Sequence, residues 1–136
     1  MIDFKFSNLF GVTYNSGNIQ FSKNKDNILY SPIGNKISVY DIKFGSSHTI
    51  DIQTRSNIHH IEVTEKGILI AVDIEGYCVL ANIRKNVIIG YFNFHDKISV
   101  LSSSSCGQYL AVGLKHGVQI FELPSTLIKQ IEPLDT

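Results

Sequence analysis

The amino-acid sequence predicts an all-β protein made of about three copies of one four-stranded antiparallel sheet, and three observations predict it. First, 20 Ile and 9 Val stand against 3 Ala, and side chains stiff at χ1 suit a pleated sheet better than a helix. Second, apolar runs of four to six residues alternate with Gly, Asn, Asp and Pro clusters along the chain, as short strands and tight turns require. Third, "KISVYDI" (Lys36–Ile42) returns as "YCVLANI" (Tyr77–Ile83) and "HGVQIFEL" (His116–Leu123). Asp41, Asn82 and Glu122 hold the same place in each copy, 41 and then 40 residues apart.

Each period opens with a short run: Asn18–Ser22, His60–Thr64 and Ser99–Ser103. Turn-rich "KNKDN", "EKG" and "SSCGQ" follow, then Ile28–Ser31, Ile68–Val72 and Tyr109–Gly113. A second tight turn ("PIGN", "DIEG", "LKHG") leads into the three stretches quoted above. A fourth run closes the first two units at His48–Ile52 and Val87–Phe92, and Thr126–Glu132 closes the third after Pro124. Leu29, Leu69 and Leu110 keep step, as do Val39, Leu80 and Ile120. A β-sandwich with regularly spaced strands would not hold such positions in register. Four strands per period of ~40–45 residues is the pattern of a propeller blade. The expected organisation is an incomplete β-propeller: blade 1 over 18–57, blade 2 over 58–97 and blade 3 over 98–136, with 1–17 an N-terminal extension or edge strand.

Composition narrows the function classes. The chain is 43% hydrophobic and 18% charged, with twelve basic and twelve acidic residues, so it builds a core and lacks the basic excess of an autonomous nucleic-acid binder. No apolar run reaches the roughly 18–20 residues that cross a bilayer, and "MIDFKFSNLF" lacks the layout of a secretory signal. No membrane partner is expected. Cys78 and Cys106 are too few for a disulfide framework, which suits a reducing compartment.

Little in the sequence carries chemistry. His59 and His60 are adjacent, and on a regular strand they point to opposite faces. Neither forms a ligand spacing with His48, His95, His116 or the cysteines, so no metal and no cofactor is expected. Asp73 and Glu75 could share a cation. The alternative is that Asp73 accepts backbone hydrogen bonds in a turn where Gly76 supplies positive φ. "SSSSCG" (Ser102–Gly107) has no nucleophile elbow, and "GSSH" (Gly45–His48) lacks phosphate-loop spacing and reads as a hairpin connection. Tyr91, Phe92 and Phe94 offer either a base-stacking platform or core packing. Lys23, Lys25, Arg55, Arg84, Lys85 and Lys97 are the candidates for touching RNA phosphates or a partner, several of them in expected loops.

Leu101–Leu123 resembles a worn WD repeat: Gly107 matches its turn glycine, while Ser105 and Cys106 replace its Pro and Asp. "VDIEG" matches the family's second tight turn, with Asp73 at the turn aspartate. The "WD" position reads Tyr40-Asp41, Ala81-Asn82 and Phe121-Glu122, and the chain has no Trp. More specifically, "DFKFSNLFGVTYNSGNIQFS" (Asp3–Ser22), "LYSPIGNKISVYDI" (Leu29–Ile42) and "FNFHDK" (Phe92–Lys97) resemble the N-terminal region of the periodic tryptophan protein 2 family. Its members are WD-repeat subunits of the small-subunit processome, in the U three protein B subcomplex. The resemblance implies a non-enzymatic nucleolar scaffold in pre-ribosomal RNA processing. Its implied partners are other WD-repeat processome subunits, with pre-ribosomal RNA or a small nucleolar ribonucleoprotein. It also implies tandem propellers and a helical region beyond this sequence, which would hold about the first three blades. Three blades do not close a ring, so self-association through open blade edges is expected. The runner-up is a WD-repeat adaptor in another intracellular complex. A propeller hydrolase would need converging acids or metal ligands, which the sequence does not supply.

Overall fold

The computed structural model of the chain describes residues 4–10, 14, 16–123 and 132–133. Among them twelve strands form three four-stranded sheets. The first sheet holds β1 (Gln20–Phe21), β2 (Ile28–Ile33), β3 (Lys36–Asp41) and β4 (Ser46–Gln53). The second holds β5 (Ile58–Val63), β6 (Ile68–Asp73), β7 (Tyr77–Asn82) and β8 (Val87–Asn93). The third holds β9 (Val100–Ser103), β10 (Tyr109–Leu114), β11 (Gly117–Glu122) and β12 (Glu132–Pro133). Every neighbour pair is antiparallel and sequential, so each sheet is a simple meander. The closing run expected over Thr126–Glu132 lies outside the described residues except at its end, where Glu132 pairs with Glu122. Residues 4–10 form no strand, so no edge strand is seen among the described residues of the N-terminal segment. Instead the Phe10 ring stacks on Tyr40 at 4.5 Å, and the Asn8 amide donates to the Ile42 carbonyl at 3.3 Å.

The sheets stack face to face, and the forty-residue register explains how. Val39 of the first sheet packs with Leu69 of the second in one apolar layer. Leu80 of the second packs with Leu110 of the third in the next. Each repeat therefore points one recurring row backward and one forward, and Leu29 and Ile120 are left half-exposed at the two ends of the stack. The second sheet is covered on both sides, which is why β6 reads as the continuous apolar run "ILIAV" instead of alternating. Burying each of Ile61, Leu69, Ile70, Leu80 and Leu110 fully contributes roughly 1.5–3 kcal/mol.

The first strands of the sheets meet edge to edge through side chains. The Asn18 amide accepts from Ile61 N–H at 2.8 Å and donates to the Ile61 carbonyl at 2.9 Å. Gln20 does the same for Val63, at 3.1 Å in both directions. Glu62 in turn accepts from the Ser103 N–H at 2.7 Å and hydroxyl at 2.5 Å. A free strand edge leaves unpaired N–H and C=O groups; the first unit satisfies both kinds on the second, and the second satisfies an N–H of the third.

A β-bulge between Ile58 and His60 shifts the β5 register. It overturns the expectation that His59 and His60 face apart, because the extra residue breaks the two-residue alternation. The two imidazoles meet edge to face with centroids 4.5 Å apart, and both Nδ1 atoms are buried without a hydrogen-bond partner among the described residues.

Candidate interaction surfaces

Two of the three recurring polar positions, Asp41 and Asn82, build turns. Asp41 Oδ1 accepts from the N–H groups of Lys43 (3.1 Å) and Phe44 (3.2 Å) and from the Asn27 amide (3.0 Å). These bonds, that of Asn27 first, hold its carboxyl below the usual carboxylate value. Asn82 accepts from Lys85 N–H at 3.0 Å in the equivalent turn. Asp73 is buried, and its carboxylate accepts from Glu75 N–H (2.9 Å), Tyr77 N–H (3.0 Å) and Ser56 N–H (3.3 Å). Its oxygens are committed to backbone donors, two in its own turn and one in the connector between the first two sheets. Gly76 sits at φ 97° against the Asp96 backbone, where a Cβ has no room, and Gly107 takes φ 74° in the β9–β10 turn. Among the described residues no group of three potential metal ligands occurs.

Phe92 and Phe94 pack edge to face on each other and on Phe121 within the second apolar layer. They are core residues. Tyr91, on the opposite face of β8, is 72% exposed. Cys78 is buried, which together with the nearby Asp73 charge pushes its thiol up to about 12.

In a meander the turns after first and third strands gather at one end of the stack. Lys23, Lys25, Arg84 and Lys85 lie at that end, while Arg55 and Lys97 lie in connectors at the other. Lys23 is engaged within the protein. Its ammonium sits 3.2 Å from Glu62 Oε2 and 2.6 Å from Ser103 Oγ, so its charge is spent within the protein. Lys85 and Lys97 remain on exposed turns apart from either cleft described below.

Among the described residues, two clefts lie between the first and second sheets. The larger, about 910 Å³, runs between β4 and the outer part of the second sheet. Tyr77, Ile88 and Tyr91 line one wall, with Lys36, Asp51 and Arg55 around it. The Arg55 guanidinium stacks on Tyr77 at 3.9 Å from the ring centroid, a pose that leaves its in-plane N–H donors available. The smaller cleft, about 250 Å³, brings Lys25 and Arg84 together with His48 although the three are far apart in sequence. Tyr30 lies at its base, where burial raises the phenol above its ordinary value against the opposing pull of Ser22 and Arg84. Tyr77 and His48 carried no signal in the sequence, since the walls come from different sheets. Asn18 and Gln20 did carry one, as polar residues alternating with apolar ones in "NIQFS".

No family model matches the chain. It is 36% identical over 125 residues to the periodic tryptophan protein 2 homolog of Neurospora crassa, covering 91% of this chain and 14% of that protein. The Schizosaccharomyces pombe homolog is 36% identical over 126 residues, covering 92% and 15%. Periodic tryptophan protein 2 of Saccharomyces cerevisiae is 37% identical over 123 residues, covering 90% and 13%. The chain thus spans about 14% of the length of the curated relatives it matches. The fold is similar to the WD40 domain of Toxoplasma gondii coronin, with a TM-score of 0.65 at 17% identity over 76% of this chain and 30% of that one. The architecture is a partial WD-type propeller.

Proposed function

We propose, for a chain homologous over nine tenths of its length to periodic tryptophan protein 2, the work of a non-enzymatic WD-repeat scaffold. Its place is the nucleolar small-subunit processome, where it binds other WD-repeat subunits during pre-ribosomal RNA processing and small-subunit assembly. The observation that carries this reading is sequence identity of 36–37% to the three fungal relatives across nearly the whole repeat array. A propeller fold alone hosts many functions. The use of the polar side chains also supports it: Asp41, Asp73 and Glu62 are occupied with turns and sheet edges, and the clefts between sheets are left for binding.

Purification of the tagged protein from growing cells, with identification of bound protein and RNA, tests the proposal. Recovery of ribosomal precursor RNA with other WD-repeat proteins is the expected result. A second reading, an adaptor in another complex, draws on the zero net charge and the internal pairing of Lys23, which weaken any RNA role. Recovery of an unrelated complex without ribosomal precursor would favour it.

A further inference from the structure

We infer that the 250 Å³ cleft between the first two sheets is a docking site for an acidic peptide segment that inserts one aliphatic side chain. Ile28, Val39, Val63 and Ile83 line it beside the Tyr30 phenol, together with Lys25, His48 and Arg84. Among the described residues no carboxylate lines it, in a chain where acids and bases are equal in number. The cleft therefore lacks the counter-charge that Glu62 gives Lys23.

Arg84 is held in place. Its stem lies over Gly67, whose missing side chain leaves the room, with Arg84 carbons and Nε at 3.3–3.5 Å from where a Cβ would stand. Its guanidinium donates to the Glu65 carbonyl at 3.4 Å, and the Asn24 amide donates to the same carbonyl at 2.6 Å. The β1–β2 loop of one sheet and two turns of the next are thus tied into one wall. An arginine anchored this way loses less conformational freedom when it meets a carboxylate.

Charge and shape together select the occupant. An aliphatic side chain meets the apolar lining, and acidic neighbours on either side meet Lys25 and Arg84. RNA fits less well: of the cations only Lys25, His48 and Arg84 line this small cleft, too short a run for a backbone to track.

This inference rests on the reading of the chain as a protein-binding scaffold, which the copurification tests separately, so either can fail alone. The probes are the fluorescein-labelled peptides Asp-Asp-Leu-Asp-Asp, Asp-Asp-Ser-Asp-Asp and Ser-Ser-Leu-Ser-Ser, with oligouridine RNA as a fourth, titrated by fluorescence anisotropy. The acidic leucine peptide should bind tightest, by about tenfold over either control, and weaken with salt. Arg84→Gln and Lys25→Gln should each lower its affinity about fivefold, while Lys85→Gln leaves it unchanged. Circular dichroism of each variant guards against misfolding. Equal binding of the serine-flanked peptide, indifference to Arg84→Gln and Lys25→Gln, or tighter binding of RNA would each overturn the inference.

Discussion

At the scale of single residues, two positions are fixed by what surrounds them. Gly76 combines positive φ with contact to the Asp96 backbone, so neither conformation nor space admits a side chain. Gly76→Ala should cost about 3 kcal/mol or more, read as a lowered urea midpoint; a loss below about 1 kcal/mol would mean that the turn can move aside. His60 sits against His59, and burial first, then the charge of His59, lowers its pKa from 6.5. The folded protein then binds fewer protons than the unfolded chain as pH falls below 6.5, so this contribution to stability is complete above that value and declines beneath it. Urea midpoints taken at about pH 7.5 and 5.5 should fall more for the native protein than for His60→Gln. Parallel slopes would show that His60 is freely solvated. The sequence concealed this pair, because reading β5 as a regular strand sends the rings to opposite faces and only the bulge brings them together.

Among elements, the register of the repeats was the legible part. Leu69 and Leu110 face backward, Val39 and Leu80 face forward, and the spacing alone put them in step. Asn18 and Gln20 stood out as polar residues in an alternating run, but their partners in the edge-to-edge ladder were not legible, since it joins residues 43 apart across two sheets. Gln20→Glu tests it by replacing a donor that faces the Val63 carbonyl with a carboxylate. The expected loss is about 1–3 kcal/mol of unfolding free energy, larger than that of Gln20→Asn, which keeps an amide. If Gln20→Glu changes stability by less than about 0.5 kcal/mol, the amide is not holding the edge. Lys23 illustrates the same limit: as a loop lysine it looked available, and the fold turned it onto Glu62. Both clefts escaped the sequence for a related reason, because their walls belong to sheets that stack only after each has formed.

At the scale of the stacked sheets, the forward face of the third sheet is apolar and exposed among the described residues. Val100, Val118 and Ile120 are exposed there, Val118 at 69%, and exposed apolar patches of this kind associate. Sedimentation should reveal concentration-dependent association that Val118→Lys weakens about tenfold; a monodisperse native monomer at high micromolar concentration would end that expectation. The ladder between first strands has a direction as well as a strength. Asn18 and Gln20 reach forward to the second unit, and Glu62 reaches forward to the third. Because a chain emerges from the ribosome N-terminus first, every cap is synthesised before the strand edge it covers. Each new edge meets its cover as it appears, and circular permutation that moved the first unit to the end would reverse that order and expose β5 during synthesis.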